Sequence, residues 1–188
     1  MRMVAQEWVS VDGCAAGPDG EDAIFAVLSP EADAASQRWN HHLLGDVEEV
    51  LLGRRTYEAF ARYWPGSEEP IAAALNAAPK VVFSRSLGAA PWGPDGEGGY
   101  GEVRIERDAV AYVAERRAHS SGSSLLWGSL TVLGELWEAG EIDELDLFVA
   151  PVVLGAGTPL LPRGTGRPLA QLDVEVLPGA LHVRYDAV

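Results

Sequence analysis

The chain has 188 residues, 47 % hydrophobic and 22 % charged, enough apolar material for the core of one ordinary-sized domain, read as residues 1–188. Its formal net charge of −14, from 28 acidic against 14 basic residues, excludes the basic surface that a nucleic-acid backbone requires. No apolar run approaches a membrane span, no signal-peptide pattern precedes the first strand, and the single cysteine, Cys14, allows neither an internal disulfide nor a Cys-rich zinc site, so a reducing, cytoplasmic setting is expected.

In chain order, residues 3–11 alternate loosely and predict a first strand that ends at Asp12-Gly13, followed by the loop Gly17-Pro18-Asp19-Gly20. A helix is predicted over 31–44, with Pro30 at its start and Gly45 just past its end. Residues 47–52 form an apolar strand, 56–63 a helix stopped by Pro65, 70–77 a further turn or two of helix, and 80–84 a second buried strand. The stretch 86–101, rich in Gly, Pro and acid, reads as a surface loop. A short strand at 103–105 precedes a helix over 108–119 that sets Val110, Val113 and Ala114 on one face. A turn at 120–123 leads to a strand at 124–127 and a helix opened by Gly128-Ser129 and closed by Gly140. A long apolar strand at 145–154, a Gly/Pro loop at 155–168 and one or two strands within 172–187 complete the chain. Alternating strands and helices predict an α/β fold, a three-layer sandwich with a mixed, mainly parallel central sheet and helices on both faces.

In such folds ligands sit at the carboxyl ends of strands, and three strand-to-helix junctions carry suitable chemistry. The first is Gly53-Arg54-Arg55-Thr56, where two cations stand at a helix start against the macrodipole. An anion between the arginines and the free backbone N–H groups resolves that conflict, although a solvated basic turn with a threonine cap fits equally well. The second is Ser84-Arg85, a hydroxyl and a guanidinium leaving a buried strand together, suited to a phosphate monoester or to an ordinary strand end. The third, Gly128-Ser129-Leu130-Thr131, is either an anion seat of backbone N–H groups or a helix capped by Ser129. Their shared structural role makes the set more specific than any member.

Several other features carry little. Gly155-Ala156-Gly157 and Gly164-Thr165-Gly166 lack the third glycine and the helix of a dinucleotide fingerprint. His41 and His42 are adjacent, and His119 and His182 are remote, so no metal site is expected. Trp8, Trp39, Trp64 and Trp127 suit stacking on a flat heterocycle or plain core packing.

The sequence resembles the dihydrofolate reductase-like superfamily, and more narrowly the C-terminal reductase domain of bacterial bifunctional riboflavin deaminase–reductases. The resemblance spans nearly the whole chain and is carried by Val9-Ser10-Val11-Asp12-Gly13, Leu52 to Glu58, Tyr63-Trp64-Pro65, Pro79 to Arg85, Trp127-Gly128-Ser129, and Asp143-Glu144-Leu145 through Pro151 to Gly155. It implies NADPH as cofactor, with Gly53, Arg54, Arg55 and Thr56 at the diphosphate and 2′-phosphate, Ser84 and Arg85 at the 2′-phosphate, and Gly128, Ser129, Leu130 and Thr131 at the diphosphate. It further implies Asp12 and Gly13 near the nicotinamide, Gln37, Trp64 and Trp127 on the substrate side, and a homodimer, since related reductase domains pair. Asp12 or an ordered water is the expected proton source.

Two departures bear on the substrate. Gln37 stands where folate-reducing members carry a carboxylate, which argues against folate, and Trp127 stands where riboflavin-pathway reductases commonly carry a glutamate. The zinc signature of the partner deaminase, His-x-Glu with Cys-x-x-Cys, is not found. The expected activity is hydride transfer from NADPH to a small flat nitrogenous heterocycle, resembling 5-amino-6-(5-phosphoribosylamino)uracil reduction in riboflavin biosynthesis. The alternative is an NADPH-binding protein without turnover.

Overall fold

The computed structural model describes residues 1–93, 100 and 102–187, so most of the tip of the expected 86–101 loop lies outside the described residues. Eight strands form one sheet: β1 (Arg2–Ser10), β3 (Glu49–Gly53), β4 (Lys80–Phe83), β5 (Arg104–Glu106), β6 (Ser123–Trp127), β7 (Glu144–Ala150), β9 (Ala170–Leu177) and β10 (Ala180–Asp186). Their spatial order is β5-β4-β3-β6-β1-β7-β10-β9. The six from β5 to β7 run parallel, and β10 and β9 return antiparallel as a hairpin at one edge.

The six larger helical segments are α1 (Asp22–Phe25), α2 (Pro30–Asp46), α3 (Arg54–Tyr63), α4 (Ala72–Ala77), α5 (Ala109–His119) and α6 (Leu130–Glu138). One sheet face presents Met3, Ala5, Val9, Leu51, Val81 and Leu126 to α5 and α6. The other presents Val4, Val50, Leu52, Val82 and Leu125 to α2, α3 and α4. Because both faces are covered, a central strand such as β3 is buried at every residue, and its middle, Val50 to Leu52, is an apolar run. The expected three-layer α/β sandwich is therefore the observed architecture.

Several boundaries differ from those expected. Helix α2 runs through Gly45 to Asp46, because the chain leaves it at Val47 in an extended conformation and needs no left-handed glycine. Helix α3 starts at Arg54 rather than Thr56. Strand β7 stops at Ala150, since Pro151 has no N–H to donate to the ladder. In α5 the buried residues are Ala109, Tyr112 and Val113, and Ala114 is exposed. Helix α1 and the two-stranded ribbon of β2 (Cys14–Ala16) with β8 (Thr158–Pro159) carry no periodicity long enough to be seen in sequence. Among the described residues no helix is long and apolar enough to cross a membrane.

A buried polar network fixes the far half of the sheet to α2. His182 Nε2 lies 2.7 Å from Asp146 Oδ1, and Trp39 Nε1 donates to Asp146 Oδ2 at 2.8 Å. The His182 ring stacks on Phe148 with centroids 4.5 Å apart. Both members of the Asp–His pair are almost fully enclosed, so removing one strands the other away from water. Asp146→Ala is expected to lower stability by about 3 kcal/mol in urea denaturation. Arg54→Ala, which removes an exposed pair with Glu58, should change it by less than about 0.5 kcal/mol.

Candidate functional site

The strand order decides where the three junctions meet. Strands β4, β3 and β6 are consecutive in the sheet, so the chain ends at Ser84, Gly53 and Gly128 emerge side by side. From β3 the chain passes to α3 on one face, and from β6 it passes to α6 on the other. Adjacent parallel strands whose connections leave in opposite directions open a crevice between them, the switch point at which open α/β sheets bind ligands.

A cleft of about 950 Å³ occupies that place. Its walls include Gly53 to Thr56, Ser84 to Ser86, Arg107, Ser129 to Val132, and the segment Ala16 to Asp22 with Thr158. The structure thus brings together Gly53, Arg54, Arg55, Thr56, Ser84, Arg85, Ser129, Leu130 and Thr131, with Gly128 directly behind them.

One hydroxyl joins the first and third junctions. Gly53 N donates to Ser129 Oγ at 2.7 Å, and the same oxygen lies 3.1 Å from Thr56 Oγ1 and from the Trp127 carbonyl oxygen. Ser129 therefore does not cap α6, as a serine in that position does elsewhere; its side chain makes no capping bond. It is also the single non-glycine residue with positive φ among the described residues, at φ 70°. Such a conformation costs about 1–3 kcal/mol, and the hydrogen bond to β3 helps to hold it. The two glycines at this tie are closely packed, and Gly128 also has a positive φ of 60°. A Cβ on Gly53 would come within 3.2 Å of Ser129 Cβ, and one on Gly128 within 3.2 Å of Thr56 Cγ2.

The electrostatics follow from the caps. Of the four helices of nine or more residues, α2 and α5 are capped by Ser29 and Asp108 side chains, which accept from Ala32 N and Ala111 N. Helices α3 and α6, whose first turns line the cleft, have no side-chain cap. Their leading N–H groups face the cleft without an intrahelical partner and carry the positive end of each helix dipole. Arg55 and Arg85 are exposed there and have no hydrogen-bond or ion-pair partner among the described residues, whereas Arg54 pairs with Glu58 at 2.9 Å. Arg107, unremarkable in sequence, donates to the carbonyl oxygens of Ser84 and, at 2.9 Å, Leu87, and so fixes the second junction. The Ser84 hydroxyl accepts from Leu87 N at 3.1 Å and keeps its own proton free to donate. The cleft wall also carries acidic residues, Asp19, Glu21 and Asp22 from the segment before α1 and Glu135 from α6.

The remaining expected residues lie elsewhere. Asp12 is exposed; its carboxylate accepts from Ser10 Oγ at 2.7 Å, Leu154 N at 3.0 Å and Gly155 N at 2.8 Å. The Ser10 hydroxyl and then the two backbone N–H groups hold its pKa down at about 2, and the same bonds brace the β1 turn against the 151–157 loop. Gly13, at φ 78°, completes the same turn outside the cleft. Trp64 is buried among core residues, edge-on to Phe60 and Tyr63. Trp127, half-buried on the α3 face, stands edge-on to Phe60 with centroids 5.7 Å apart. Gln37 is buried on α2, where Nε2 donates to Glu69 while Oε1 has no partner.

Sequence reasoning missed one group. Glu7, on β1, is buried, and its Oε2 has no hydrogen-bond partner. Burial first, and then the nearby Glu21, push its pKa well above the usual carboxylate range. An acidic residue inside a strand is the signal that could have marked it.

A model of the RibD C-terminal domain matches residues 3–182 of the chain. A pyrimidine reductase-like protein of Corynebacterium diphtheriae has the same fold, with TM-score 0.69 at 15 % identity, over 100 % of this chain and 92 % of that one. A diaminohydroxyphosphoribosylaminopyrimidine deaminase/5-amino-6-(5-phosphoribosylamino)uracil reductase of Thermotoga maritima superposes with TM-score 0.65 at 16 % identity, over 98 % of this chain and 56 % of that one. In sequence, the uncharacterised protein YyaP of Bacillus subtilis (strain 168) is 23 % identical over 164 residues, 85 % of this chain and 79 % of YyaP.

Ser129→Ala tests the tie between the junctions. It leaves the Gly53 N–H without its acceptor in a buried position, and is expected to cost about 1–3 kcal/mol in denaturant unfolding.

Proposed function

Because the chain belongs to the RibD C-terminal domain family, we propose that it is a pyrimidine reductase-like enzyme that binds NADPH in the cleft and reduces a small flat nitrogenous heterocycle. The observation that carries this reading is the convergence of two uncapped helix N-termini and two unpaired arginines on one crevice in a chain of net charge −14. A protein so acidic would repel an anionic ligand elsewhere on its surface, so this local positive field favours phosphate groups.

When bound, NADPH supplies a hydride, and the chain binds and orients it. In this reading the N–H groups of Arg54 to Thr56 and of Leu130 and Thr131 hold the diphosphate from two sides, and the Ser129–Gly53 tie sets the distance between them. Arg55, Arg85 and the Ser84 hydroxyl take the 2′-phosphate, with guanidinium groups that lose no intramolecular partner on binding.

The substrate side is assigned to the α2–α3 face. There Gln37 Oε1, Gln6 Nε2 and Asn40 Oδ1 are buried without partners and offer one donor and two acceptors, and Trp127 offers an aromatic surface. Amide and amino groups of a pyrimidine match such a set. A second copy of the chain would pair most readily along the edge strand β9, where Leu172, Val174 and Val176 are exposed.

Arg55→Ala and Arg85→Ala are each expected to weaken NADPH binding about tenfold and NADH binding far less, as measured by calorimetry. Equal losses for the two cofactors would overturn the 2′-phosphate assignment. Oxidation of NADPH, followed by its near-ultraviolet absorbance, should occur with a member of a panel of aminopyrimidines and pteridines. Tight NADPH binding with no oxidation across that panel would favour a binding protein without turnover.

A further inference from the structure

The turn that follows β4 is held from two sides. From within, the Ser84 hydroxyl oxygen accepts from Ser86 N at 3.3 Å and from Leu87 N at 3.1 Å. From outside, the Arg107 guanidinium donates to the carbonyl oxygens of Ser84 and, at 2.9 Å, Leu87, the first and last residues of the same four. A planar fork that bridges both ends of a turn fixes their separation, which a single hydrogen bond does not. Between those ends stand Arg85 and Ser86, exposed and part of the cleft wall, with Arg107 itself beside them.

Arg107 can serve the turn because the acids on either side of it are engaged elsewhere. Glu106 is paired with Arg104 at 2.6 Å, and the Asp108 carboxylate caps α5 through Ala111 N at 3.0 Å. The bonds of Arg107 run to neutral carbonyl oxygens, so its charge is not cancelled and adds to that of Arg85. Arg116 and Arg117, by contrast, are tied to acids. The sheet itself does little to aim the turn. The ladder between β4 and the edge strand β5 has three residue pairs and ends with Ser84 N donating to the Glu106 carbonyl oxygen at 2.9 Å. Beyond that bond the clamp is what directs the chain. A long arginine side chain loses rotamer freedom when it grips a phosphate, and a backbone fixed in advance keeps that cost from growing.

We propose that Arg107 is the positioning residue for the phosphate monoester of the cofactor: by clamping Ser84 and Leu87 it holds Arg85 at the cleft, so that discrimination between a 2′-phosphate and a 2′-hydroxyl depends on it. The proposal rests on the NADPH reading and names the residue on which that specificity turns. Two consequences separate this role from a general structural one. Loss of the clamp falls on the phosphorylated cofactor, because the diphosphate is assigned to the first turns of α3 and α6, which follow β3 and β6 rather than β4. It also falls only while Arg85 is present, because Arg107 acts through it.

The test is calorimetry of the full chain with NADPH and with NADH for wild type, Arg85→Ala, Arg107→Ala and the double variant, with near-ultraviolet circular dichroism on each to report the fold. Arg107→Ala should weaken NADPH binding about tenfold and NADH binding by less than about twofold. In the Arg85→Ala background the same substitution should cost NADPH less than about twofold, a non-additive cycle. Should Arg107→Ala not fold, the cycle is read on Arg107→Lys, which keeps the charge without the fork and should lose about threefold on NADPH only while Arg85 is present. The full loss repeated without Arg85, equal losses for the two cofactors, or an unchanged NADPH affinity overturns the role of Arg107 and leaves the NADPH reading standing. No binding heat with either cofactor for wild type overturns that reading, and this assignment with it.

Discussion

The hydrogen bond from Gly53 N to Ser129 Oγ joins the ends of two neighbouring parallel strands from which the chain departs to opposite faces of the sheet. Without a tie at that place, α3 and α6 would be held only through their separate cores. With it, the first turns of both helices are set at a fixed separation across a crevice. The geometry is tight: a Cβ at 53 or 128 would press on Ser129 or Thr56, and Gly128 has a positive φ that favours glycine. Ser129 adopts a left-handed conformation to reach across, so local backbone strain and interstrand hydrogen bonding are coupled in one residue. Strain held in place by its surroundings is the condition under which a site keeps its shape before a ligand arrives.

The charge distribution depends on the same arrangement. A chain of net charge −14 has few cations to spare, and most of those in defined contacts serve the scaffold. Arg116 and Arg117 pair with Glu48, Glu49, Glu141 and Asp143, and Arg107 holds the carbonyl oxygens of the second junction. Arg55 and Arg85 are different, exposed at the cleft with no partner among the described residues. The bare N-termini of α3 and α6 add partial charges that need no side chain. The structure thus brings two free guanidinium groups and two bare helix starts to one crevice, whose wall also carries Asp19, Glu21, Asp22 and Glu135.

Polar groups without partners are the second theme. Buried donors and acceptors are normally satisfied, and those that are not call for an explanation. Among the described residues four of the five such groups lie around β1 and α2, Glu7 beside the Gly128 turn and Gln6, Gln37 and Asn40 on the opposite face, with Arg184 on β10 as the fifth. The four straddle β1, with Gln6 and Glu7 as consecutive residues that point to opposite sides of the sheet.

The sequence alone determined the layer architecture, because central strands covered on both faces are mainly apolar, and β3, β4 and β6 each carry such a run, Val50 to Leu52, Val81 to Phe83 and Leu125 to Trp127. It also marked the three junctions, since glycines, hydroxyls and arginines at strand ends leave a local signature. Gly45 and Asp12 show its limits. The end of α2 depended on how Val47 leaves the helix, and the setting of Asp12 on the Ser10 hydroxyl first and then on hydrogen bonds from Leu154 and Gly155, more than 140 positions away. Glu7 was hidden for the same reason: its burial and lack of a partner arise only when β6 stops beside β1. The convergence of the junctions was likewise a tertiary decision. Local sequence fixes what each strand end can bind, but the pairing order β4-β3-β6 is set by long-range burial of whole strands, and that order alone makes three separate turns into one cleft.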